Sequence, residues 1–78
     1  MSFREVHVQA TFTPDGTPRP HNLRWEGQTL RVLDVGRRWD AGDGQHLLVR
    51  VTDGRVFELR TDSVRWWAAL RTSPTALV

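Results

Sequence analysis

The segment Arg37-Arg38-Trp39 combines the residue types that suit binding of a nucleic acid. Guanidinium groups bind phosphate oxygens, and an adjacent indole offers a flat face on which a base can stack. Gly36 precedes the segment and Gly42 follows it, so residues 36–44 are predicted to form a flexible loop. The alternative is that Trp39 fills one end of the core while a neighbouring arginine stacks on it.

Further arginines alternate with apolar residues in segments typical of β-strands, which places them on the side of a sheet away from the core. A basic sheet surface beside an aromatic side chain can follow a phosphate backbone. The predicted nucleic-acid-binding residues are Arg24, Arg31, Arg37, Arg38, Trp39 and Arg50. Glu26 and Glu58 fall on the same side, however, so the alternative is an ordinary solvated surface with cross-strand ion pairs.

The composition limits what the abundance of arginine means. All 11 basic residues are arginine, and against 9 acidic residues they leave a net charge of only +2 in 78 residues. The absence of lysine and tyrosine matches the codon usage of a GC-rich genome, so only a clustering of arginines on one face supports nucleic acid as the partner. The chain has no cysteine, no apolar signal region and no apolar run near the ~20 residues of a membrane span. These features predict a cytoplasmic protein that does not bind membranes.

Residues suited to catalysis or metal binding are sparse. His7, His21 and His46 lack the close spacing of a structural zinc site. The sequence contains no Gly-x-Ser-x-Gly motif and no glycine-rich phosphate loop. Asp40 and Asp43 have the ligand atoms for a cation, but loop aspartates usually cap turns. We therefore predict a binding module that is not an enzyme and has neither a metal nor another cofactor.

Trp66 and Trp67 are consecutive, so in a strand only one of them can face the core. The other would be exposed or buried against another chain, which makes the pair a candidate partner interface. The alternative function is accordingly a protein-interaction or homodimerisation module anchored by an exposed tryptophan. Residues 64–70 also fit a short helix capped by Asp62 or Ser63, but an open sheet edge that needs covering favours a strand.

Alternating apolar residues predict five to six short strands, within residues 6–12, 23–26, 29–35, 46–51, 55–60 and 64–69. Three prolines and a glycine predict a loop over residues 13–20. The apolar phase changes at Val32-Leu33, which indicates either a β-bulge or a strongly coiled strand that buries both of its sides. The expected fold is all-β, a small curled antiparallel sheet or an SH3-like barrel over residues 1–72, followed by a flexible tail at 73–78.

The segment Thr52-Asp53-Gly54 decides where the arginines point. A two-residue turn would place Val49 opposite Glu58. A three-residue loop places Val49 opposite Phe57, so that the apolar residues of both strands lie on the same face of the hairpin. Gly54 then takes the left-handed position of a G1 bulge. The outward face of this predicted hairpin carries His46, Leu48, Arg50, Val56, Glu58 and Arg60.

Several short motifs between residues 20 and 70 resemble a known family. They are Leu23-Arg24-Trp25-Glu26-Gly27, Arg31-Val32-Leu33-Asp34-Val35, Arg38-Trp39, Arg50-Val51, Val56-Phe57-Glu58-Leu59 and Arg65-Trp66. The pattern is similar to a bacterial family of small uncharacterised domains with a Trp-Arg-Gly hairpin and a late Phe-Glu-Leu strand. Some of those domains accompany translesion-polymerase accessory proteins. The sequence departs from the family at Leu30 and at His46-Leu47, where aromatic residues are expected. The resemblance implies an all-β fold and a DNA-repair context.

Overall fold

A computed structural model describes residues 2–72, which form seven β-strands and no helix. The strands are β1 (Arg4–Val6), β2 (Val8–Phe12), β3 (Pro18–Trp25), β4 (Gln28–Ala41), β5 (Gly44–Val51), β6 (Val56–Thr61) and β7 (Trp66–Thr72). The predicted all-β fold is confirmed, with seven strands rather than five to six because the first predicted strand is divided at His7. Residues 2–72 therefore contain no helix that is long and apolar enough to cross a membrane.

The strands form one curled antiparallel sheet in the order β1-β7-β6-β5-β4-β3-β2. The two edge strands, β1 and β2, are consecutive in the chain and are separated only by His7. The backbone N–H of Arg24 in β3 also donates to the carbonyl of His7, at 2.9 Å. The chain itself thus links the two edges of the sheet.

The concave side of the sheet holds the core, and its largest fully buried side chains come from β3, β5 and β6. They include Phe57, Leu23, Leu47, Leu59, Val49 and Val51. Trp25 packs against Phe57 with a ring separation of 4.9 Å. The opposite, convex side is called the outer surface below.

The predicted register of the β5–β6 hairpin is confirmed. Val49 pairs with Phe57 and Leu47 pairs with Leu59. Gly54 has φ of 91°, and its N–H donates to the carbonyl of Val51 at 2.9 Å. Because neighbouring residues in a strand point to opposite sides, this register sends Arg50 to the outer surface.

The β3–β4 hairpin is also confirmed and has a two-residue turn. Glu26 and Gly27 have φ of 50° and 81°, as a type I′ turn requires. Leu23 pairs with Leu30 inside the core. Of the two alternatives at Val32-Leu33 the structure has the bulge, since the β4–β5 register shifts between Val32 and Asp34.

One predicted loop, at residues 36–44, is largely strand, and the other, at residues 13–20, is a loop only as far as residue 17. β4 continues to Ala41 through a second bulge between Val35 and Arg38, so residues 36–44 contain only a short turn at Gly42-Asp43. Within the proline-rich stretch, Pro18 and Pro20 belong to β3. They are tolerated because β3 pairs with β4 only from Asn22 onward, and a proline is accepted where its nitrogen faces away from a ladder.

The C-terminal segment is a strand, as favoured, and not a helix. β7 pairs with β6 along its whole length and with β1 on its other side. The turn before it is held by Asp62, whose Oδ1 accepts hydrogen bonds from the N–H groups of Val64 and Arg65. The tail predicted at 73–78 lies outside the described residues.

Candidate nucleic-acid interface and a buried histidine network

Three of the predicted arginines lie on the outer surface of neighbouring strands. Arg24 pairs with Thr29, Arg31 pairs with Asn22, and Arg50 pairs with Asp34, each across a strand boundary. All three arginines are exposed. Their strands therefore place them as the sequence pattern predicts.

The arginines divide into two groups by their ionic partners. Four lie within 4 Å of a carboxylate oxygen: Arg4, Arg55, Arg60 and Arg71. The remaining seven arginines have no carboxylate oxygen within 4 Å among residues 2–72. One of them, Arg65, precedes β7. The other six belong to β3, β4 or β5: Arg19, Arg24, Arg31, Arg37, Arg38 and Arg50. These three strands carry only two acidic residues, Asp34 and Asp40. The charge is thus segregated, with the unpaired arginines on one half of the sheet.

Arg37, Arg38 and Trp39 are part of β4 and not of a flexible loop. Trp39 stacks on the ring of His46 on the outer surface, with a centroid distance of 5.3 Å and an interplanar angle of 24°. The alternative prediction that Trp39 fills one end of the core is therefore wrong. The arginine stacking expected with it is present, since the guanidinium of Arg37 lies 5.2 Å from the indole centroid. Arg38 donates to the carbonyl of Pro18 at 2.6 Å, which ties β4 to β3.

The two consecutive tryptophans occupy different environments. Trp66 is 7 % exposed and packs in the core near Phe12, with a ring separation of 6.4 Å. Trp67 is half-buried on the outer surface beneath the guanidinium of Arg60, 4.1 Å from its centroid. Trp66 consequently has little surface for a partner, and Trp67 is the outward member of the pair.

A buried ionic network lies on the outer surface beside Trp39. The Nδ1 of His46 is 2.8 Å from a carboxylate oxygen of Glu58, and its Nε2 is 2.7 Å from a carboxylate oxygen of Asp43. The other oxygen of Glu58 accepts a hydrogen bond from Arg71. Only a protonated imidazole donates from both nitrogens, so this geometry fits the imidazolium form of His46.

Aromatic side chains shield the His46 ring at the centre of this network from water. Phe3 meets the His46 ring edge-on at 6.0 Å, and Trp39 covers its face. The side chains of His46 and Glu58 are only 8 % and 7 % exposed. The prediction that both residues point outward is correct in direction, but they are buried because the N-terminal segment and β4 cover them.

Burial alone lowers the pKa of His46, but the hydrogen bonds to Asp43 and Glu58 and their negative charges outweigh it and raise the pKa above its usual value. The same contact lowers the pKa of Asp43, whose carboxylate accepts the His46 hydrogen bond. The network is thus complete only when both carboxylates are ionised and the imidazole is protonated.

The raised pKa of His46 predicts a pH-dependent stability. Its contribution is complete below about pH 6.5, the usual histidine value, and is lost as the pH rises through the raised pKa of the folded state. We expect the free energy of unfolding in urea to fall between pH 6 and pH 9, and His46→Gln to flatten that fall. An equal fall in the variant would exclude His46 as its source.

The other candidate ligands remain apart. Neither His7 nor His21 joins His46, and Asp40 does not join Asp43 in a cluster. In the part of the chain that the structure describes, no group of three or more histidine, aspartate or glutamate residues is arranged to hold a metal ion.

Sequence reasoning missed Arg19, which is exposed on β3, and the links from His46 to Asp43 and Glu58. The register of the β5–β6 hairpin already placed His46 and Glu58 on one face, which is the signal from which their link follows. Comparison of the chain with protein-family models, with curated proteins and with solved structures finds no match.

Proposed function

We propose that the protein is a non-enzymatic module that binds the phosphate backbone of a nucleic acid. The binding surface is the arginine surface, defined as Arg19, Arg24, Arg31, Arg37 and Arg50 on the outer side of β3, β4 and β5. The observation that carries the proposal is the charge segregation: arginines elsewhere on the sheet pair with carboxylates, while those on this surface do not within residues 2–72.

The segregation argues against an ordinary solvated surface. Such a surface pairs opposite charges across strands, and here Asp34 lies directly opposite Arg50 without an ion pair within 4 Å. Glu26, in the turn between β3 and β4, is 3.6 Å from Arg4. The unpaired guanidiniums are exposed and free to displace the counterions of a phosphate backbone.

The family resemblance of residues 20–70 adds DNA repair as the proposed setting. The alternative, a protein-interaction or homodimer module, depends on Trp67, which is half-buried and already covered by Arg60. An interface of that kind would respond weakly to salt, whereas phosphate binding weakens steeply as salt rises. The salt dependence of binding therefore separates the two functions.

The proposal predicts a measurable loss for a single arginine. In a fluorescence anisotropy titration with a single-stranded oligonucleotide, Arg31→Gln should weaken binding about tenfold at low salt, as expected for one charge-assisted hydrogen bond. The slope of log affinity against log salt should decrease by about 0.7.

The matched control is Arg65→Gln. Arg65 is also exposed and has no carboxylate within 4 Å among residues 2–72, but it precedes β7 and lies outside the arginine surface. Its removal changes the net charge equally and should have a much smaller effect. Equal effects of the two variants, or no binding by the unchanged protein at low salt, would contradict the proposal.

A further inference from the structure

A cleft lined mostly by residues with polar side chains lies on the outer surface next to the arginine surface. Its volume is about 320 Å³, at the lower end of the range for ligand sites. Its lining residues come from β3, from the ends of the neighbouring segments and from the division between β1 and β2: His7, Gln9, Asn22, Leu23, Arg24 and Thr29. Leu23 is the one lining residue that belongs to the buried core.

The cleft exists because the chain is irregular here. β1 leaves the sheet edge at β7, passes through His7 and continues as β2 beside β3. The β2–β3 register then shifts between Gln9 and Ala10. The cleft lies at these irregularities, between the residues His7 and Gln9 on one side and Arg24 on the other.

The groups in the cleft suit a nucleobase. The amide nitrogen of Asn22 donates to the amide oxygen of Gln9 at 2.6 Å. The amide nitrogen of Gln9 and the amide oxygen of Asn22 then remain, one donor and one acceptor on residues that pair across β2 and β3. Asparagine and glutamine amides use this combination to recognise the edge of a base. Arg24 in the cleft and Arg31, opposite Asn22, supply positive charges for the flanking phosphates.

We propose that this cleft holds one unpaired nucleobase, so that the protein prefers single-stranded over double-stranded nucleic acid. The inference rests on the proposed function and names its substrate class. A base inside a duplex is stacked and paired, and it cannot enter a surface cleft unless it leaves the stack. Single strands present such bases without that cost.

The test compares three probes of equal length in anisotropy titrations: a single-stranded oligonucleotide, its duplex, and an abasic strand that keeps the phosphates and lacks the bases. The single strand should bind about tenfold more tightly than the abasic strand, as expected for one good amide–base contact. Gln9→Ala, an exposed position, should remove most of this difference and leave abasic binding unchanged. The matched control is Gln45→Ala in β5, a strand that is separated from β3 by β4. It should change neither the preference for the single strand over the abasic strand nor the binding of the abasic strand.

The outcomes distinguish the two proposals. Equal binding of the single strand and the abasic strand, or no effect of Gln9→Ala, overturns the base-binding cleft and leaves the phosphate-binding surface standing. Tighter binding of the duplex also overturns the cleft. Failure of all three probes to bind at low salt overturns both proposals.

Discussion

Gly44→Ala should lower the free energy of unfolding by about 3 kcal/mol. Gly44 has φ of +130°, a conformation that costs an L-residue about 1–3 kcal/mol by itself. An added Cβ would also lie 2.5 Å from the carbonyl oxygen of Thr61. That oxygen belongs to the backbone of β6, so the clash is not relieved by a side-chain rotation. Urea denaturation followed by tryptophan fluorescence measures the loss.

The matched control is Gly42→Ala, two residues before Gly44 in the turn that leads into β5. A Cβ at Gly42 meets nothing within 4 Å, and its φ lies outside the left-handed range. We expect a change within about 0.5 kcal/mol, as for an ordinary surface substitution. Similar losses in both variants would show that the contact with Thr61 is not what requires glycine at position 44.

Glu58→Gln should destabilise the protein by a similar amount, about 3 kcal/mol, the lower end of the range for breaking a buried ion pair. Glu58 accepts hydrogen bonds from both His46 and Arg71, and its side chain is only 7 % exposed. A glutamine keeps the shape, but it has one acceptor oxygen for two donors and turns an NH₂ group toward one of them. Calorimetric unfolding at pH 6, where His46 is protonated, measures the effect.

Glu5→Gln provides the comparison for this prediction, since Glu5 is exposed in β1 and pairs across the strand boundary with Trp67. It removes the same charge without breaking a buried contact. A loss for Glu58→Gln that is no greater than for Glu5→Gln would mean that the network contributes nothing beyond its net charge.

The parts of the fold with strict alternation were predictable from the sequence. In the β5–β6 hairpin the apolar residues agree only if three residues form the loop, and Gly54 is the residue that the loop's left-handed position requires. The same reasoning found the β3–β4 hairpin and the bulge after Val32. In each case burial on one side of a strand fixes the register.

The second half of β4 was not predictable in this way. From Gly36 to Asp40 the sequence has no alternation of apolar and polar residues. A bulge changes the phase of the strand after Val35. This part of β4 is held by backbone pairing with β5 and by the hydrogen bond from Arg38 to Pro18. The prediction of a loop at Pro18 and Pro20 was wrong for a related reason. A strand accepts these prolines only because β4 begins to pair with β3 at Asn22. Both features are properties of the assembled sheet and not of a local segment.

The candidate site was partly predictable. The strand phase alone placed Arg24, Arg31 and Arg50 on the outer surface, and the structure agrees. Which arginines lack a carboxylate depends on contacts between distant segments, such as that of Arg71 with Glu58. The shielding of His46 by Phe3 likewise depends on a segment that is far away in sequence.

The linking of the two sheet edges through His7 has a consequence for synthesis of the chain. β1 precedes the other six strands in the chain, but its ladder partner within residues 2–72, β7, follows all of them, with Arg4 pairing with Ala68. During translation β1 therefore has no strand to pair with until β7 has been made, and the pairing of β1 with β7 becomes a late, non-local step. Until then β1 has unpaired backbone groups, with which a strand of another nascent chain can form hydrogen bonds.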